Sequence, residues 1–258
     1  QYLDWAQSLS PWVNQPFRGD AFANLRQRNQ FASLTSLGLV AVLGWQAVYG
    51  RASQARTHGL LWLALNMLAA GVACSVSRTG AVQWVAVALL AAVWAWQQGQ
   101  RSLLIMALVA PVLVVLWSVL MPWAAMGTTG QLGASMILRV AGQAQDYGIC
   151  GSRTVLWSNV LTMVAQKPWL GWGWGETDFA HFITAYSGTR FCDIVDNAHD
   201  FPLHLALEFG VPFAAATLAW IAVWLWRQQP WRETSALRLT AWGWLLVVGI
   251  HSVLEYPL

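Results

Sequence analysis

Apolar residues gather in six long stretches: 31–49 (FASLTSLGLVAVLGWQAVY), 59–76, 81–97, 102–124, 203–226 and 239–258. Each comes near the roughly 20 residues that a helix needs to cross a bilayer. The stretch 102–124 alone reaches about 34 Å at 1.5 Å per residue, enough to cross with some tilt. The pattern predicts an all-α integral membrane protein, 1–258 being a single membrane domain of about six transmembrane helices. Residues 125–202 read differently, and at 78 residues they are too long for a simple connector. Within them, 152–166 (SRTVLWSNVLTMVAQ) carries Val155, Leu156, Val160 and Met163 at helical spacing. Ser152 stands where it can cap that helix, and Pro168 where it ends it. The glycine-aromatic run Gly171-Trp172-Gly173-Trp174-Gly175 then suits an interfacial turn. This large loop is expected to form a partly helical cap on the membrane surface.

Composition strengthens the membrane reading. Hydrophobic residues are 57% of the chain and charged residues 10%, where a soluble domain holds nearer a quarter charged. The 19 tryptophans suit a membrane–water interface, with the ring half buried and the N–H wet. A net charge of +3, from scattered basic residues, gives no nucleic-acid surface. The chain begins at Gln1 without a signal-peptide pattern and stops after an apolar run. It is therefore expected to be a fragment of a longer polytopic protein.

Loop charge orients the spans. Arg51 and Arg56, Arg101, and Arg227, Arg232 and Arg238 all fall in short loops on one side, which the positive-inside tendency makes cytoplasmic. Of the 11 acids only Glu233 lies there. Residues 1–30, the turn 77–80, the loop 125–202 and the C-terminal end then face the periplasm or exterior. Arg18, Arg26 and Arg28 break the tendency, which marks either a wrong span or arginines kept for a purpose.

Cys74 lies in a span and reads as a small apolar residue. Cys150 and Cys192 share the outer loop, and in an oxidising compartment they are expected as a disulfide, the alternative being two free thiols. A metal set of His181, Cys192 and His199 is a distant alternative, without any zinc-like spacing to support it.

The orientation brings the unusual polar residues to the outer face, and polar side chains at membrane depth point to function. Arg78, in Ser77-Arg78-Thr79-Gly80, reads either as snorkelling to headgroups or as binding an anion through its planar five-donor fork. Arg153 opens the cap helix, where free N–H groups also favour an anion; its plain reading is a salt bridge with Asp146 or Asp193. Two arginines on one face suit a diphosphate. His199 stands among Asp196, Asn197 and Asp200, where it reads as a structural histidine or as a general base that Asp196 or Asp200 orients. His204 reads as a packing residue. Glu208 lies within an apolar run and needs a partner, taken to be an outer arginine. His251 and Glu255, four apart, are expected to share a helix face that meets protein or a water-filled cavity.

In order and spacing, these motifs resemble the O-antigen ligase and polymerase superfamily (Wzy C-terminal-like). They are Gln27-Arg28-Asn29, Ser77-Arg78-Thr79-Gly80, Arg153-x-x-x-Trp157, Pro168-x-x-Gly171-x-Gly173, Asn197-Ala198-His199 and Leu205-x-x-Glu208-x-Gly210. The ending His251-Ser252-x-x-Glu255-Tyr256-Pro257-Leu258, with Leu25-Arg26-Gln27-x-Asn29 near the start, is most similar to the bacterial pilin-glycosylating protein O-oligosaccharyltransferases (PglL-like). The resemblance implies a metal-independent, cofactor-free glycosyltransferase of the bacterial inner membrane. It would move a glycan from an undecaprenyl-diphosphate carrier to a hydroxyl at the periplasmic face. The acceptor is Ser or Thr of a pilin or other periplasmic protein in one branch, and lipid A core in the other.

By the same resemblance His199 is the essential histidine, and Arg78 and Arg153 hold the diphosphate. Gln27, Glu208, His251, Glu255 and Tyr256 are expected to bind substrate, with the acceptor entering between cap and spans. Where the family often has a second Asn after the histidine, this chain has Asp200, which is expected to raise the pKa of His199. The alternatives are an O-antigen ligase or polymerase and, more distantly, a lipid-linked sugar flippase or permease. A permease calls for charges along a membrane path and repeated halves, and neither pattern is present in the sequence.

Overall fold

The computed structural model describes residues 1–15, 21–25, 27–50, 52, 54–129, 133, 135–137 and 149–255. Tyr256, Pro257, Leu258, Arg18, Arg26, Arg51 and Asp146, which entered the reading above, lie outside the described residues. The described secondary structure is entirely helical. The chain divides into two compact units, Gln1–Ala144 with Trp231–His251, and Gln145–Pro230 with Ser252–Leu258.

The first unit holds the helices α1 (Arg28–Tyr49), α2 (Ala55–Ser75), α3 (Arg78–Gln97), α4 (Arg101–Thr129) and most of α9 (Ala236–Leu254). These five are long and apolar enough to cross a membrane. Each long run of apolar residues becomes a helix because lipid leaves the backbone no other hydrogen-bonding partner. The ends are set locally, by backbone conformation and capping. Val76 takes a left-handed conformation that stops α2. Ser77 then caps α3 by accepting from the Gly80 N–H (3.0 Å). The helices pack α1 on α2 and α3, and α4 on α2 and α3. Helix α9 closes on α1 through small residues: a Cβ on Gly243 would lie 2.8 Å from Val40, and one on Gly44 2.7 Å from the Thr240 methyl. The hydrophobic effect does little between helices in lipid, so the fit of Val40 and Thr240 against these glycines supplies the packing.

The second unit holds α5 (Arg153–Gln166), α6 (Thr177–Ile183), α7 (Phe201–Phe209) and α8 (Val211–Gln228). Helix α5 starts and stops as its sequence predicts, with the Ser152 hydroxyl accepting from Val155 N–H. Its inner face (Leu156, Val160, Met163, Val164) forms a small core with Ala180, Val195, Ala198 and Leu205–Leu207.

The structure corrects the expected single span over 203–226. The chain breaks at Gly210 (φ 88°) into α7 and α8, so five described helices, not six, meet the requirements of a span. The break is reciprocal backbone packing. A Cβ on Gly171 would fall on the Glu208 carbonyl, and one on Gly210 on the Trp169 carbonyl. Trp172 and Gly173 donate to the carbonyls of Leu207 (2.8 Å) and Glu208 (3.0 Å), and Val211 donates to that of Pro168 (2.8 Å). The glycine-aromatic run thus clamps the α7–α8 junction.

Candidate active site

In the second unit the site grows from three short segments. Ser152 places Arg153 as the first residue of α5. The loop before α7 presents His199, and the residue just after α9 is Glu255. The loop is tightly held: Asn197 and Ala198 are buried, Trp157 Nε1 donates to the Ala198 carbonyl (3.1 Å), and His199 N–H donates to Asn197 Oδ1 (2.8 Å). His199 itself has φ 50°, a left-handed conformation that costs a non-glycine residue energy and persists where the surroundings enforce it.

Glu255 is the centre of the arrangement. Its buried carboxylate pairs with the half-exposed Arg153 guanidinium through Oε1, while Oε2 faces His199 Nδ1 across 3.9 Å. A carboxylate removed from water needs such a partner. This settles several sequence expectations. Arg153 meets Glu255 rather than Asp193. The carboxylate facing the His199 ring is that of Glu255, whereas Asp200 Oδ1 is turned to cap α7 by accepting from Leu203 N–H (2.9 Å). Helix α9 ends at Leu254, so Glu255 lies beyond it rather than on a continuous helical face with His251.

The expected rise in the His199 pKa is also overturned. The imidazole is pushed below its usual range, chiefly by burial, next by the nearby Arg153 charge, with Asp196 opposing and His204 adding a little. Desolvation disfavours the charged ring, and the turned-away Asp200 does not counter it. The neutral form of the His199 ring is thereby favoured.

Glu208 does not meet an arginine either. Its Oε1 accepts from Gly175 N–H (2.8 Å) and lies 3.5 Å from His204 Nε2, because the glycine run wraps the end of α7 and brings a backbone donor to it. Cys150 and Cys192 meet as thiols rather than as the expected disulfide. Hydrogen bonding to Cys150 is the main cause that raises the Cys192 thiol above its usual range. His181 bonds Tyr186 through Nδ1 (2.7 Å), and among the described residues no three His, Cys, Asp or Glu side chains gather as metal ligands would. A shallow groove of about 640 Å³ runs along α5 beside Arg153, lined by Thr154, Trp157, Ser158, Leu161, Thr162 and Ala165.

In the first unit Arg78 is exposed at the start of α3, between buried Ser77 and Thr79. Gln27 precedes α1, and the two helix starts are tied by Ser77 Oγ donating to Asn29 Oδ1 (2.6 Å). Gln27 and Arg78 therefore lie at one end of this unit. His251 is placed elsewhere: it is buried, with Nδ1 2.7 Å from Ser33 Oγ. Ser33 also accepts from Gln83 Nε2 (2.9 Å), which donates in addition to the Val247 carbonyl (3.1 Å), while Gln83 Oε1 accepts from Ser36 (3.0 Å). Sequence reasoning missed Ser33, Ser36 and Gln83. The available signal was Gln83 itself, a polar side chain inside an apolar span.

The sequence pattern described as O-antigen ligase matches residues 60–218, more than half of the chain, and spans Arg78, Arg153, His199 and Glu208. The chain belongs to the O-antigen ligase family. A second pattern, described as protein glycosylation ligase, matches residues 21–45, which include Gln27. The chain is also similar to a general O-oligosaccharyltransferase of Acinetobacter baylyi, with 23% identity over 98% of this chain and 43% of that protein. It thus spans less than half the length of that relative. No solved structure matches. Membership of this membrane-enzyme family, together with five candidate spans, makes the chain a multi-pass membrane protein.

Proposed function

We propose that the protein is a glycosyltransferase of the oligosaccharyltransferase type. It would transfer a glycan from an undecaprenyl-diphosphate carrier to a Ser or Thr hydroxyl of a protein such as a pilin, at the periplasmic face of the inner membrane. The observation that carries this reading is the buried Glu255 carboxylate between Arg153 and His199. With Nδ1 facing Glu255, the Nε2 lone pair of the neutral ring takes the proton of the acceptor hydroxyl. The acceptor oxygen bonds to the sugar C1. The C1–O bond to the diphosphate breaks, and undecaprenyl diphosphate leaves with the electron pair. Arg153, positioned by Glu255, brings its positive charge to the charge growing on the diphosphate. Arg78 takes a second diphosphate role on the strength of the resemblance alone. The Trp157 ring and the hydroxyls of Thr154, Ser158 and Thr162 beside Arg153 suit a sugar.

Similarity to a general O-oligosaccharyltransferase and the protein glycosylation ligase match favour a protein acceptor. The broader O-antigen ligase match supports a second reading, with lipid A core as acceptor. The test is transfer in cells by the full-length parent protein and its His199→Ala variant. The cells supply a lipid-linked glycan, a pilin and a lipid A core, and each acceptor is followed by mass. The expected result is a mass gain on the pilin that falls at least about 100-fold in the variant. A gain on the lipid core alone moves the assignment to O-antigen ligase, and equal transfer by the variant removes His199 from the mechanism.

A further inference from the structure

The clamp that breaks the α7–α8 junction turns its largest apolar side chains outward. Trp169, Leu170 and Trp174 are 76%, 86% and 84% exposed, among the most exposed large hydrophobics of the described chain. Trp172, between them, is the pin: its Nε1 donates to the Met163 carbonyl (2.9 Å) and Lys167 Nζ lies 4.0 Å over its ring. The backbone offers no freedom to fold the outward residues back. Gly171 and Gly210 lock this segment to α7 at both ends, and three ladder-like hydrogen bonds lie between.

Water is a poor partner for this surface, and the neighbouring surface says what replaces it. Trp169 contacts Gly210, where α8 begins. Helix α8 is apolar along nearly its whole length, yet its one buried residue is Ala214; Val211, Phe213 and Trp220 are exposed. In a multi-pass membrane protein such a helix meets lipid. The exposed clamp continues this lipid-facing surface past the helix start, where backbone amides and indole N–H groups stay near water. Trp is the residue suited to that depth, and the Lys167 ammonium, held over the Trp172 ring, adds a positive charge beside it that suits anionic headgroups.

We infer that the Trp169–Leu170 edge of the clamp, with Trp174, is an interfacial anchor. It inserts into the headgroup–acyl boundary of the bilayer and docks the second unit on the membrane. Its ligand is the lipid surface itself. Helix α7 rises only about 13 Å over nine residues, so the anchor holds His199, immediately before α7, within a short helix of the headgroup layer. That consequence alone rests on the function proposed above.

Depth is measured in the full-length protein in lipid nanodiscs, with Cys74, Cys150 and Cys192 replaced by Ala and a nitroxide placed at Leu170→Cys. Ser187→Cys, on an exposed turn, serves as the aqueous reference and Leu108→Cys, in α4, as the bilayer reference. The expected result is a Leu170 label more accessible to oxygen than to a water-soluble nickel chelate, at roughly 5–10 Å below the headgroups. A label that behaves like Ser187 overturns the anchor. So does a label shielded from both relaxants, which would show protein rather than lipid covering this edge. Trp174→Cys repeats the measurement should the Leu170 variant fail to fold. No glycan transfer enters the readout, so failure of the anchor and failure of the proposed reaction are separate results.

Discussion

At the scale of single residues, the proposed chemistry depends on keeping His199 neutral. Burial and the Arg153 charge lower its pKa, and Asp196 raises it. The neutral base therefore persists below the usual histidine value, and transfer should fall only as the pH drops through that lowered value. Asp196→Asn removes the opposing acid, so the acid limb of the pH–rate profile of transfer moves to lower pH. A limb that stays in place or moves upward would remove the imidazole as the group titrating in the reaction. His199 as a candidate was legible in the sequence, as a His among acids in the Asn197-Ala198-His199 motif, with a structural histidine as the plain alternative. The direction of its shift was not. Sequence proximity pointed to Asp200, but the side chain of Asp200 is spent on the N-terminus of α7. The carboxylate that faces the ring comes from Glu255, 56 residues further along. Charge acts through space, and one residue of chain separation says little about where a side chain points.

At the scale of elements, α5 shows what local pattern can determine. Cap, apolar stripe and terminating proline agree, and the helix forms where they place it. The run 203–226 shows the opposite. It is apolar throughout, and a lone glycine does not by itself stop a helix. The clamp does so, because Gly171 and Gly210 each occupy space where the other segment's backbone leaves no room for a Cβ. Gly171→Ala therefore combines a left-handed backbone (φ 68°) with a direct clash against Glu208. It should cost about 1–3 kcal/mol or more and lower the thermal midpoint of the purified protein. Gly175→Ala also sits at positive φ (78°) but meets open space, and it should cost less. Equal midpoints for the two variants would remove the clamp as the cause of the break.

At the scale of the whole molecule, α1 and α9 meet although about 200 residues separate them. Their contact uses Gly44 against Thr240 and Gly243 against Val40, flanked by the Ser33–His251 and Gln83–Val247 hydrogen bonds. Gly44→Val places new methyl groups on Thr240, and overpacking of this kind costs typically 1–3 kcal/mol. The expected outcome is a lower thermal midpoint in detergent or nanodiscs, with Thr240→Ala partly restoring it. An unchanged midpoint would mean that α9 does not depend on this contact.

The sequence by itself determined the solvent and the local repertoire: apolar runs too long for anything but membrane helices, the capped α5, and the identity of the polar residues that resist explanation by packing. These properties follow from backbone hydrogen bonding and side-chain periodicity, which act over a few residues. Tertiary structure decided who meets whom. It paired Arg153 with Glu255, gave Glu208 a glycine N–H in place of an arginine, buried His251 against Ser33 and broke a predicted span at Gly210. Each of these is a contact between segments distant in sequence. Its energy depends on side-chain direction and on space left by another segment, neither of which is written in the order of residues.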